Sequence, residues 1–200
     1  MIYLPKLVTP DLVRVHISAP DKWGLLETLS TLLSAAAPAA NGRLLDAAAI
    51  LAAVRAREEI RTSAIGHGCA LPHARIEGLA APCACLATLS PALDFGAPDG
   101  EPVSIVCLLL APAEDPSTTL KVMAEVALLM ADPATRAGVD AAHSEEALLA
   151  LLRDLNTGEE RALRARNIMR APYYSIYPDT PLTRVTDLLA EYNLEATSVV

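Results

Sequence analysis

Gly66-His67-Gly68-Cys69-Ala70-Leu71-Pro72-His73-Ala74-Arg75 places two histidines, a cysteine and an arginine within nine residues, His67 to Arg75. His73 is the natural nucleophile of the group. A neutral imidazole attacks readily near pH 7 because its pKa lies close to neutrality. Acceptance of a phosphoryl group also needs open access and nearby cations or N–H donors. Gly66 and Gly68 allow close backbone approach and can present amides. Pro72 stiffens the position before His73. Arg57 and Arg75 are available to neutralise phosphate oxygens, each with a bidentate fork.

Other chemistries compete for the same residues. His67, Cys69, His73, Cys83 and Cys85 are all possible zinc ligands, and Cys83 and Cys85 would share one face of a strand. The set nonetheless lacks a C-x2-C or H-x3-H pair, and small buried thiols are the plainer account of Cys83, Cys85 and Cys107. Cys69 stands four residues before His73, close enough to pair with it, but nothing orients that pair and no G-x-S-x-G occurs. An ordinary surface histidine on a tight loop is the plainest alternative for His73 itself.

The elements that must position this segment follow from periodicity. Residues 12–17 alternate as a half-buried strand. Ser18 or Asp21 caps a helix with Leu25, Leu26, Leu29, Leu32 and Leu33 on its inner face, and residues 46–57 form a second helix through Ile50, Leu51 and Val54. The motif follows as a loop. Residues 84–89 and the apolar run 103–110 are strands, separated by a turn at 96–100. A helix over 118–131 presents Leu120, Met123, Val126, Ala127 and Met130. Ser144 caps a last helix through Leu155. Helices alternating with strands give an α/β layer fold. Residues 157–166 read as a charged helical linker. Residues 167–200 read as a strand at 175–177, a helix at 182–192 and a strand at 196–200.

Composition bounds the partners. The chain has 200 residues, 52% of them hydrophobic, and a net charge of −8. Nucleic acid is disfavoured as a partner because phosphate backbones need a basic face. The longest apolar run is too short to span a bilayer, and the N-terminus lacks a signal-peptide pattern. Four cysteines without a secreted disulfide spacing fit reduced thiols in a cytoplasm. No cofactor is called for.

Arg57-Glu58-Glu59, Thr62-Ser63-Ala64-Ile65-Gly66-His67-Gly68 and Ala70-Leu71-Pro72-His73 resemble the IIA domain of the bacterial phosphoenolpyruvate:sugar phosphotransferase system. The branch is the mannitol/fructose type (EIIA type 2), which includes the nitrogen-regulatory IIA proteins. Asp94-Phe95-Gly96-Ala97, Asp99-Gly100-Glu101-Pro102-Val103 and Ser144-Glu145-Glu146-Ala147-Leu148 extend the match, so that a domain over 1–156 is expected. The resemblance implies a mixed β-sheet flanked by helices. It also implies a histidine, here His73, that receives a phosphoryl group from the phosphocarrier HPr and passes it to a downstream IIB or regulatory protein, with Arg57 beside it. Two positions depart from the family pattern. His67 stands where Asn is usual, and Thr119 stands where a second active-site histidine is usual. Thr carries a hydroxyl donor but no charge. His67, Arg75 or Lys121 would then compensate, or the domain has become a sensory or scaffolding module. Residues 167–200 resemble the first half of a CBS domain, through Ile168-Met169, Pro178-Asp179-Thr180-Pro181-Leu182, Val185 and Leu188-Leu189, and read as a truncated module. CBS modules bind adenine nucleotides when complete, so no ligand residue is assigned here.

Overall fold

A computed structural model describes residues 4–37, 45–156, 175–191 and 198–199. The chain divides into two compact units, Met1–Leu163 and Arg164–Val200.

The first unit is organised around a strand that cannot face water. Strand β6 (Val103–Pro112) is buried along nearly its whole length, and its neighbour β5 (Cys83–Leu93) is buried through its first seven residues. Such runs need helices on both faces. Side chains alternate accordingly. Cys83, Cys85, Ala87, Val106, Leu108 and Leu110 face a cluster with Leu25, Leu26, Leu29, Ile50 and Val54. Ala84, Leu86, Ile105, Cys107 and Leu109 face Leu4, Val122, Val126, Met130, Leu148 and Leu152. The first layer is α2 (Lys22–Ser34) and α3 (Ala47–Ile60). The second includes α1 (Leu4–Leu7), α4 (Pro116–Ala131) and α6 (Glu145–Asn156).

The sheet is mixed, ordered β1-β5-β6-β3-β2, with β1 at Val13–Ile17, β2 at Ala64–Gly66 and β3 at Cys69–Ala70. A further strand, β4 (His73–Ile76), also pairs with β6. β5 runs antiparallel to β6, whereas β3 and β4 run parallel to it. The expected motif loop is therefore three short strands. β3 and β4 keep one register along β6, Cys69 opposite Ile105 and His73 opposite Leu109. Pro72 interrupts them without loss, because its carbonyl still accepts the Leu109 amide at 2.9 Å.

Helix starts follow side-chain chemistry. Asp21 rather than Ser18 caps α2, accepting the Gly24 amide at 2.8 Å, and Ser144 accepts the Ala147 amide at 3.1 Å at the start of α6. A short helix, α5 (Pro133–Asp140), was not expected. Asp132 caps it by accepting from Thr135 N at 2.9 Å, with proline in its first turn. The inner face of α4 also differs. Leu120 is 69% exposed, and the buried stripe is Thr119, Val122, Val126 and Met130. Apolar residues occur all around this helix, so its period is ambiguous until the sheet selects a face.

In the second unit, β7 (Ser175–Ile176) pairs in parallel with β8 (Ser198–Val199), and α7 (Leu182–Glu191) lies between them in sequence. The expected linker, residues 157–166, lies outside the described residues, as does the start of the expected CBS-like unit, residues 167–174. No described helix is long and apolar enough to cross a membrane.

Leu108 is fully buried at the centre of β6. Leu108→Ala is expected to destabilise the first unit by about 2–5 kcal/mol. A fall in the urea midpoint with unchanged slope would show it.

Candidate functional site

His73 opens β4, which among the described residues pairs only with β6 and so lies at an open flank of the sheet. Its register partner Leu109 belongs to the α4-side cluster, so the imidazole lies on that face. Arg57, in the last turn of α3, reaches it across the flank: Nε donates to His73 Nε2 at 3.0 Å, and Nη1 donates to the Arg61 carbonyl at 2.9 Å.

The opposite ring nitrogen, Nδ1, lies 2.9 Å from the Leu71 carbonyl. A carbonyl oxygen can only accept, so Nδ1 carries the proton and Nε2 keeps its lone pair. Burial holds the His73 pKa below its ordinary value near 6.5; the Leu71 carbonyl opposes this and the Arg57 charge adds to it. The ring is therefore neutral at pH 7, with the free lone pair at Nε2. Arg75, two residues along β4 and exposed, adds a weaker positive field.

Thr119 sits in the first turn of α4, only 6% exposed, and its Oγ1 has no hydrogen-bond partner among the described residues. It lies on the helix that covers the His73 face of the sheet.

His67 is placed elsewhere. It and Gly68 form the two-residue turn between β2 and β3, both with positive φ, +55° and +71°. That turn wants residues tolerant of the left-handed region, where Asn, Asp and His are enriched among non-glycines. His67 answers that backbone demand. Asp99 clamps the turn: its Oδ2 accepts His67 N at 2.7 Å and its Oδ1 accepts Glu101 N at 3.2 Å. These donors hold the Asp99 carboxyl below its usual range. Gly66 suits its φ of +91°, a conformation that L side chains rarely adopt, and a Cβ there would also crowd Asp99 Oδ2 at 2.7 Å. Cys69 and His73 are separated by four strand residues along β6, about 13 Å. His67 lies beyond Cys69, so it does not stand in for a second histidine beside His73.

The zinc set is not assembled either. Among the described residues, the cluster with metal-ligand geometry is His67, Asp99 and Glu101, all exposed and without a cysteine. Cys83 and Cys85 pack in the α2–α3 core, while Cys69 and Cys107 pack in the other. All four thiols are buried, and burial pushes Cys69 up to about 11 and Cys83 and Cys107 to about 12, which makes them poor ligands and nucleophiles.

Glu58 joins the site without having been expected from the sequence. It is 3% exposed; its Oε2 accepts Ser63 N at 2.9 Å, and its Oε1 faces Lys22 Nζ at 3.6 Å. A signal was present: Glu58 continues the buried stripe Ile50–Val54 at i+4.

The model of the "Phosphoenolpyruvate-dependent sugar phosphotransferase system, EIIA 2" family matches residues 6–155. A nitrogen regulatory protein of Pseudomonas aeruginosa is 28% identical over 159 residues, covering 80% of this chain and all of the relative. The crystal structure of nitrogen regulatory protein IIA-Ntr from Neisseria meningitidis shares the fold with a TM-score of 0.68 at 24% identity, over 74% of this chain and 97% of that one. Enzyme IIA mannitol of Escherichia coli, solved in complex with phosphorylated enzyme IIB mannitol, has a TM-score of 0.59 at 14% identity, over 74% of this chain and 99% of that one.

In an NMR titration the His73 midpoint should fall below 6.5, and Arg57→Met should move it upward by removing an adjacent positive charge. His67→Asn should leave that midpoint unchanged and stability within about 0.5 kcal/mol, whereas His67→Val should destabilise by about 1–3 kcal/mol in urea denaturation, because a β-branched residue strains the turn.

Proposed function

Because this chain belongs to the EIIA type 2 family of the phosphoenolpyruvate-dependent sugar phosphotransferase system, we propose that it carries a phosphoryl group on Nε2 of His73 and uses it for regulation. The observation that supports this most directly is the bond from Nδ1–H to the Leu71 carbonyl, which leaves the Nε2 lone pair toward the open flank and Arg57. The donor is an HPr-like phosphocarrier whose own phosphohistidine P–N bond breaks as the bond from Nε2 to phosphorus forms. No proton must leave His73. The Nδ1 proton stays, and the positive character gained by the ring faces the Leu71 carbonyl.

Arg57 then exchanges its bond to Nε2 for the phosphoryl oxygens, where its fork is geometrically suited. The Thr119 hydroxyl, buried and unpartnered among the described residues, supplies a neutral donor where the family usually has a second histidine. Arg75 contributes field rather than a fixed bond. An Nε2 that accepts from a guanidinium while Nδ1 donates to a carbonyl supports a carrier over a module that has lost phosphotransfer.

Regulation is favoured over bulk sugar uptake by the similarity to nitrogen regulatory proteins. The recipient is a IIB or regulatory protein, and such partners put the reaction in the cytoplasm. The strand–helix–strand order of 175–199 fits a CBS-like segment, with adenine nucleotide as the ligand of a complete module.

Incubation with phosphoenolpyruvate, enzyme I and HPr should yield an acid-labile phosphoryl adduct that His73→Ala abolishes. Arg57→Met should slow its formation roughly 10- to 100-fold and Thr119→Val by a smaller factor. Folded wild-type protein that takes up no phosphoryl group would refute the proposal.

A further inference from the structure

The Leu71 carbonyl that selects the His73 tautomer is itself the end of a buried chain of bonds. Leu71 N donates to the Ser63 carbonyl at 3.0 Å, and Ser63 N donates to Glu58 Oε2 at 2.9 Å. Glu58 Oε1 is paired with Lys22 of α2 at 3.6 Å. Glu58, Ser63 and Leu71 are 3%, 6% and 5% exposed. A carboxylate so deeply buried is costly unless partnered. It is nonetheless placed on the inner stripe of α3, where an apolar residue would pack as well.

Glu58 directly follows Arg57. The two residues bracket one imidazole from one helix turn, Arg57 acting on Nε2 and Glu58 reaching Nδ1 through Ser63 and Leu71.

We infer that Glu58 is a positioning residue for His73, holding the Ser63 and Leu71 peptides where the Leu71 carbonyl captures Nδ1–H and presents Nε2 for transfer. The bond, not the charge, carries this role. The carboxylate needs only to accept one amide hydrogen, which a glutamine oxygen also does. Lys22 neutralises the carboxylate without touching the peptides. The inference rests on the phosphocarrier reading for its consequence in transfer but not for its effect on the ring.

The test uses the full chain and two readouts. Long-range proton–nitrogen NMR correlation gives the tautomer of neutral His73, and single-turnover transfer from phosphorylated HPr gives the limiting rate and the half-saturating HPr concentration separately. Wild type and Glu58→Gln should both hold the Nδ1–H tautomer and transfer at similar rates. In an Arg57→Met background, where no guanidinium donates to Nε2, Glu58→Ala should populate the Nε2–H tautomer; Glu58→Ala alone should lower the limiting transfer rate roughly 10- to 100-fold, with the half-saturating concentration of phosphorylated HPr unchanged. Glu58→Ala with the wild-type limiting rate, Arg57→Met/Glu58→Ala that keeps the Nδ1–H tautomer, or Glu58→Gln as impaired as Glu58→Ala overturns the inference. Where Glu58→Ala does not fold, amide exchange decides: Ser63 and Leu71 should be protected alike in wild type and Glu58→Gln, and an unprotected Ser63 amide overturns it. A wild type that has the expected tautomer response but takes no phosphoryl group supports the relay and overturns the phosphocarrier reading instead.

Discussion

A strand that is apolar on both faces is stable only between two helical layers, and β6 imposes that constraint on the whole first unit. It carries β5 on one side and both β3 and β4 on the other, so it sets the register of Cys69–Ala70 and His73–Ile76. Because β3 and β4 share one register, Pro72 can break the ladder between them without moving His73. His73 is thereby placed on a strand rather than a loop, with β4 unpaired on its other edge among the described residues.

That arrangement separates the two histidines of the motif. One end of the segment is a tight turn whose demands are conformational: positive φ at His67 and Gly68, and a carboxylate clamp from Asp99. The other end is chemical, with His73 held between Arg57 and the Leu71 carbonyl. Residues six apart in sequence thus answer to different physics. His67 answers a backbone demand, while Thr119 lies on α4, which covers the His73 face of the sheet.

The site uses few charges and places them carefully. The Arg57 charge favours the neutral form of His73, to which it donates a hydrogen bond. Glu58, next to it, is kept out of the reacting space by Lys22 and Ser63. Adjacent residues of opposite sign on one helix therefore do different tasks, because their Cα–Cβ vectors point about 100° apart around the axis.

Much of this protein is legible in its amino-acid sequence. The α2, α3 and α6 helices, the continuous apolar strand and the family resemblance all rest on local signals: periodicity, capping residues and a dense motif, each set by short-range sterics and hydrogen bonding. The inner face of α4 is not legible there, since Leu120 and Val122 are equally apolar and only the sheet decides between them. Nor is α5, whose signals are an Asp cap and a proline with little periodicity. Residue types alone mark which side chains are chemically able to act, His73 and Arg57 above all, because nucleophilicity and charge belong to side chains. The fold alone sets that Nδ1 donates to Leu71 while Nε2 accepts from Arg57, that His67 belongs to a turn and that Glu58 is buried. Those facts depend on which carbonyl, carboxylate or flank the fold brings within about 3 Å, the range of a hydrogen bond.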